Sequence, residues 1–323
     1  MKTIQLFLFS LLLSSTLGLR AQQLKWDAHL SGPSVSTSTT NHSNADLTVT
    51  ATAIDPLGNT YVGGYFQGAV DMDPSGGTFW LTSTVGYNGN NHSDAFVAKY
   101  DPNGALIWAY GFGGNENEYI SDIELTSSGD LIILGRYGGT VDFDFGPSVS
   151  NLVKLGNSEG FVLSITSSAA FNWVKRIGLS NFAGGTIPAC YVNTHKLFIK
   201  PNNEIIVAGN WSGLFGYDNQ ILNATNQSGS SATKKDGFVL FLNTDGTLQQ
   251  FVSLDGIPAS GITIPDMTFT GIDADSKGDL YLSGNCSGWY DFAPGTSQTD
   301  IWSSQYNEGF VWKLSANGNY KAK

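Results

Sequence analysis

One phrase, written four times, limits what this chain can become. The first copy reads TYVGGYFQGAVDMDP (60–74) and then DAFVAKYDPNGALIWAYGFGG (94–114). Later copies begin at LIILGRYGGTVDFDF (131–145), IIVAGNWSGLFGYDN (205–219) and LYLSGNCSGWYDFAP (280–294). A period of 71 to 75 residues, made of short alternating apolar runs and Gly/Asn/Asp turns, marks a repeat architecture.

Each copy predicts four strands. Strand a is TATAI (50–54), DIEL (122–125), KLFI (196–199) or FTGI (269–272), and an Asp/Gly-type hairpin turn follows it. Strand b is TYVGGYF, LIILGRY, IIVAGNW or LYLSGNC. After a long excursion, strand c is DAFVAKY (94–100), EGFVLSI (159–165), DGFVLFL (236–242) or EGFVWKL (308–314). Phe96, Phe161, Phe238 and Phe310 fall in register there, beside Val97, Val162, Val239 and Val311. A short turn leads to strand d, ALIWAY (105–110) or FNWVKRI (171–177). Four-stranded repeats arranged radially make a β-propeller. The expected fold is therefore all-β: a propeller of four blades with four antiparallel strands each, with repeats at about 47–114, 115–179, 180–256 and 257–323.

The ends suggest how such a ring closes. QLKWDAHLSG (23–32) matches ALIWAYGFGG (105–114), with Trp26 at the Trp108 position. It is a strand d without a blade, whereas the fourth copy has strands a, b and c and a strand d reduced to NYKAK. The N-terminal strand is thus expected to complete the last blade and remove an exposed edge. Four blades is the low end for propellers, and the same register fits a longer parent chain that continues past residue 323.

Residues 1–21 read as a secretory signal peptide: Lys2, the apolar run LFLFSLLLSS (6–15), then Leu19-Arg20-Ala21 before Gln22. This ten-residue run is too short to span a bilayer, and no later segment is a membrane span. Cleavage leaves 302 of the 323 residues, and loss of Lys2 and Arg20 moves the formal charge from −11 to −13. An acidic exported chain has no electrostatic reason to bind nucleic acid. The expected location is secreted or cell-surface, and the expected state is a monomer. Cys190 and Cys286 could pair in an oxidising compartment. Cys286 stands where Phe66 and Trp211 stand in other copies, so it reads as a buried apolar position.

Alternating strand direction puts the short a–b and c–d turns at one end of each blade. The long b–c connections (67–93, 138–158, 212–235, 287–307) and d–a connections (33–47, 176–195, 253–268) share the other. Long loops on a rigid scaffold are where binding concentrates. They carry aromatics, of which Trp80, Tyr87, Phe145, Trp289 and Trp302 are candidate ligand contacts. Asp71, Asp73, Asp142 and Asp144 are candidate calcium ligands, because carboxylate pairs suit hard cations. Against that, Asp-X-Asp also closes turns through its own backbone, and the pair is incomplete in the third and fourth copies (Gly216, Ala293). Asp273 to Asp279 resembles a DxDxDG calcium loop but puts Lys277 at a ligand position, and reads as a hairpin turn. The four histidines show no metal spacing, and no hydrolase or phosphate-loop motif is present. No cofactor is implied beyond this optional calcium.

The phrase GN-x-YV-x-G-Y-F-x-G-x-V-D-x-DP with DAFVAKYD-x-NG-x-L-x-W resembles the SBBP-type β-propeller repeats of exported Bacteroidetes proteins. The likeness covers essentially the whole mature chain, best in Gly58 to Gly114 and least in the third copy, where Gln250 takes the Trp108 position. It implies a propeller in an extracytoplasmic setting and no established activity. Tyr100 to Trp108 also looks like quinoprotein propeller repeats, whose blades are shorter and more numerous. Two functions follow as expectations. The first is a non-catalytic binding or adhesion scaffold that presents its long-loop face to a protein or glycan. The second is an extracellular polysaccharide-acting hydrolase with acids at the channel mouth.

Overall fold

The computed structural model describes residues 46–84, 92–179, 190–223, 235–257, 265–293 and 301–320, with backbone alone at Asn223 and 301–306. The expected signal peptide (1–21) and the expected closing strand (23–32) lie outside the described residues. The first repeat forms β1 (Asp46–Ile54), β2 (Thr60–Gln67), a small hairpin of β3 (Ala69–Asp71) and β4 (Trp80–Thr82), then β5 (Asp94–Tyr100) and β6 (Leu106–Phe112). The second forms β7 (Tyr119–Leu125), β8 (Leu131–Tyr137), β9 (Thr140–Asp142), β10 (Asn151–Val153), β11 (Glu159–Ile165) and β12 (Phe171–Gly178). The third forms β13 (Cys190–Ile199), β14 (Ile205–Gly213), β15 (Phe215–Tyr217), β16 (Gln220–Asn223), β17 (Asp236–Leu242) and β18 (Leu248–Leu254). The fourth follows with β19 (Gly256–Ile257), β20 (Asp266–Ala274), β21 (Leu280–Asp291) and β22 (Ile301–Leu314).

The fold is all-β, and every pairing among these named strands is antiparallel. The repeats give sheets of order β1-β2-β5-β6, β7-β8-β11-β12 (extended by β15 and β16), β13-β14-β17-β18, and β20-β21-β22 with β19 also on β21. The excursions expected as loops are partly strand. Three of them fold into the hairpins β3–β4, β9–β10 and β15–β16, and in the fourth β21 and β22 run on into it. Val70, Val141 and Tyr217 carry apolar side chains down from these hairpins and are buried, which is why they are not free loops.

The same irregularity recurs in each strand a. The register slips between Val49 and Ala51, Ile120 and Asp122, Thr194 and Lys196, and Phe269 and Gly271. Opposite each slip stands a glycine of strand b: Gly64, Gly135, Gly209 or Gly284. A Cβ there would collide with the carbonyl of Thr48, Tyr119, Asn193 or Thr268. On the other side it would sit 2.5–3.0 Å from the ring of Phe96, Phe161, Phe238 or Phe310, each the cross-strand partner of its glycine. The in-register phenylalanines thus lie over the bare backbone of glycine and fill the space it leaves.

The sheets pack face to face in chain order, with the inner strand β1 against β7, β7 against β13, and β13 against β20. Apolar cores fill each gap. Phe112, Phe143 and Phe161 lie between the first and second sheets, Trp211 and Phe215 between the second and third, and Phe269, Tyr290 and Trp312 between the third and fourth. At the hairpin end a tryptophan of strand d locks onto the c–d turn of the next sheet. Trp108 Nε1 donates to the Ser167 carbonyl (3.3 Å) and Trp173 Nε1 to the Thr244 carbonyl (3.0 Å). A Cβ on Gly246, at φ +76° in that second turn, would lie 2.8 Å from the Trp173 ring.

The series is open on one side among the described residues. Val97, Val162 and Val239 are fully buried against the following sheet, whereas Val311, at the same register in the fourth, is 71% exposed. β22 pairs with β21 on one side, and among the described residues its other side carries only the bridge of Leu314 to Tyr320. Cys190 and Cys286 are both buried and free, so the possible disulfide is absent.

Gly135→Ala should therefore lower stability by roughly 2–4 kcal/mol, the range for forced overpacking. Gly76→Ala, where no atom lies within 4 Å of an added Cβ, should change it by less than about 0.5 kcal/mol. Urea unfolding midpoints of the two variants check both values.

Candidate functional site

At the long-loop end the paired aspartates fold their own turns. Asp71 Oδ1 accepts from the Asp73 and Phe79 amides (3.1 and 2.8 Å), and Asp73 Oδ1 accepts from the Ser75 amide (2.9 Å). Asp142 Oδ1 accepts from Asp144 and Ser150 (3.1 and 2.8 Å), and Asp144 Oδ1 from Gly146 (2.7 Å). Hydrogen bonds from Ser75 hold the Asp73 carboxyl below its usual range. In the third copy Asp218 instead pairs with Lys175 at 3.0 Å, and in the fourth Asp291 Oδ1 accepts from the Ala293 amide. Each first aspartate bridges the two ends of its hairpin, which is reason enough for an acid there. Among the described residues no three His, Cys, Asp or Glu side chains converge as a metal-ligating group. Asp275 likewise closes an ordinary turn, accepting from the Lys277 and Asp279 amides.

Of the five candidate aromatics, Trp80, Phe145 and Trp289 have described side chains, and these three lie in different repeats and different settings. Trp80 is 49% exposed on β4. Phe145 stacks on Tyr110 of the neighbouring sheet (4.9 Å, 8°), so it packs between repeats. Trp289 is half-buried opposite Ser303 in the β21–β22 ladder. Tyr87 lies outside the described residues; Trp302 has its backbone opposite Tyr290, and its side chain is outside them.

The structure brings forward a different set of acids. Every strand c opens on one: Asp94, Glu159, Asp236 or Glu308. Asp94 accepts from the Thr84 amide and hydroxyl (3.0 and 2.7 Å). Glu159 accepts from the Gly156 and Leu179 amides and the Tyr137 hydroxyl, with Arg176 Nε at 3.5 Å. Asp236 accepts from the Gly256 amide (2.7 Å). These three are buried and tie long connections to the start of strand c, while Glu308 is exposed at the open side of the fourth sheet. The signal was in plain view, an acid two residues before each in-register phenylalanine.

Glu118 sits beside this series, wholly buried, and accepts from the Gly114 and Gly138 amides (2.9 and 3.0 Å). A Cβ on Gly113 would touch both the Glu118 and Asp94 carboxyls, so the two acids flank one point. Burial, opposed by the two amides and reinforced by Asp94 and Glu116, pushes the Glu118 carboxyl up to about 8. Burial also raises Asp94. Burial thus sets Glu118 apart as the acid that keeps its proton to higher pH. His195, between the third and fourth sheets, is held neutral by burial, its pKa lowered to about 4, and its Nδ1 accepts the Phe269 amide (3.1 Å).

No family model matches the chain, and no curated protein matches it. A solved structure of a protein of unknown function from Bacteroides caccae is similar over 85% of this chain and 80% of that one, at 10% identity and a TM-score of 0.32. A likeness at that score carries no inference. No helix among the described residues is long and apolar enough to cross a membrane.

Two outcomes follow. Because the folded pKa of Glu118 is raised, its contribution to stability is full below its ordinary value of 4.5 and lost as pH rises towards 8. Glu118→Gln should remove about 1–3 kcal/mol of the fall in unfolding free energy between pH 5 and pH 8; an unchanged pH profile contradicts the buried pair. Since the Asp71 and Asp142 carboxylates already serve backbone amides, a chelator should leave the melting temperature where calcium puts it. A calcium-dependent rise of several degrees would restore the cation site.

Proposed function

We propose that this chain is a non-catalytic exported β-propeller of the SBBP-repeat kind, a scaffold that presents its long-loop end to a protein or glycan ligand. What carries this is the equivalence of the four sheets. The same bulge, glycine and phenylalanine recur in each, and the acids at the head of the first three strands c are engaged with local backbone amides. An active site needs one repeat to depart from the others at a place substrate can reach.

The proposed ring has four blades and closes through residues 23–32. The side of β22 beyond the Leu314–Tyr320 bridge is where such a strand d would pair, and the exposed Val311 face is where the first sheet would then pack. Trp26 would then meet the c–d turn at Gly104, as Trp108 and Trp173 meet theirs. Export rests on the signal-like residues 1–21.

The hydrolase alternative has one observation in its favour, the Asp94–Glu118 pair with one acid raised towards neutrality. Both carboxyls are buried at 5% exposure or less, which leaves no path for a polysaccharide.

The mature chain from Gln22, applied to glycan and surface-protein arrays and to a panel of polysaccharide hydrolase substrates, separates these functions. Binding without turnover is expected, and turnover lost in Glu118→Gln would overturn the scaffold. Deleting residues 22–32 tests closure: it should lower the melting temperature by several degrees, and an unchanged melt would contradict it.

A further inference from the structure

The repeats depart from one another most sharply at the hairpin end, between the third and fourth sheets. There the tryptophan lock is missing. Gln250 stands where Trp108 and Trp173 stand, yet the turn it faces keeps the shape of the others. Ser315 N–H donates to the Asn319 carbonyl (2.7 Å), Gly318 N–H donates to the Ser315 carbonyl (2.8 Å), and Gly318 has φ +77°. The Gln250 carboxamide lies over Gly318 as the Trp173 ring lies over Gly246, with its atoms 2.9 Å from an added Cβ. A carboxamide is much smaller than an indole, and a cleft of about 720 Å³ is open beside it. The seating for a ring has been kept and the ring removed.

We propose that this cleft binds a small neutral saccharide, one or two sugar rings. The volume lies within the usual span of small-molecule sites, roughly 300–1,000 Å³. Its lining includes Gln250, Asn202, Asn317, Asp275 and Phe198. Carboxamides donate and accept at once, which suits vicinal hydroxyls, and an aromatic face suits the C–H side of a sugar. The Gln250 carboxamide makes no hydrogen bond to the described residues, so a polar group at the cleft floor is left to the ligand. The charged groups of the lining balance, Lys200 and Lys277 against Glu204 and Asp275, so a neutral ligand fits. Lys200 Nζ is already held by Glu204 (2.6 Å) and the Ala316 carbonyl (2.5 Å), and Asp275 pairs with Lys313 at 3.6 Å. The site lies at the end of the sheets opposite the long loops, so it goes beyond the scaffold function and stands or falls separately.

The test is ligand-observed NMR of the mature chain with a panel of common hexoses, N-acetylhexosamines and their disaccharides, followed by calorimetry on any hit, with indole as the rival probe. At least one saccharide should bind saturably at or below roughly 10 mM. Gln250→Trp, which rebuilds the lock, should raise the melting temperature and weaken that binding at least tenfold. Gln250→Ala, which removes the carboxamide without filling the cleft, should weaken it severalfold and guards against misfolding of the larger variant. Three results would overturn the site: no saccharide saturating, binding unchanged in both variants, or indole binding in place of every sugar.

Discussion

Each sheet depends on one close approach: a strand-b glycine pressed between a bulged carbonyl of strand a and the ring of a strand-c phenylalanine. Neither half works without the other. The bulge pushes backbone into space where a Cβ would stand, and the ring fills the hollow that the missing side chain leaves. A pleated antiparallel sheet must twist to pack on its neighbours, and a bulge in the inner strand raises that twist locally. The contact recurs at Gly64, Gly135, Gly209 and Gly284, so all four sheets bend alike and nest in succession. Inter-sheet apolar cores and the tryptophan locks act on surfaces that this bend creates.

Much of this was legible in the sequence. Strands c at 94–100, 159–165 and 236–242 fall where the alternating apolar runs place them, because both their faces are buried and periodicity plus turn residues define them at each end. The second strand b, Leu131–Tyr137, does the same. Strands a were under-read: β13 begins at Cys190, six residues before KLFI, because its polar half borders the interior through Asn193, Thr194 and His195 and shows no apolar alternation. The hairpins inside the b–c excursions were missed for a related reason. Three-residue strands such as Thr140–Asp142 are fixed by Asp142 reaching across to the Ser150 amide, a contact that spacing alone does not announce.

The candidate site was less legible. Asp71 and Asp142 read as long-loop acids suited to a cation, and one oxygen of each, Oδ1, is taken by two backbone amides. The acids that matter most to the architecture, Asp94, Glu159 and Asp236, stood next to the in-register phenylalanines and looked like strand punctuation. Only the burial of their carboxyls and the loops they tie reveal their work. Gln250 shows the opposite relation. Its departure from tryptophan was visible in the repeat, but its consequence, a cleft over an intact turn, needed the turn's geometry. In a repeat protein, sameness builds the body and departures mark places where something else fits.

The central proposal is that the four sheets form one closed series, with residues 23–32 supplying the missing strand of the fourth. Residue-resolved amide hydrogen exchange on 308–314 in the mature chain tests it most directly. In an antiparallel ladder alternate amides point to opposite neighbours. A completed sheet predicts slow exchange at successive residues, matching 94–100 and 159–165. Protection of every second amide alone, with the rest exchanging as in a loop, would show an open edge and contradict closure.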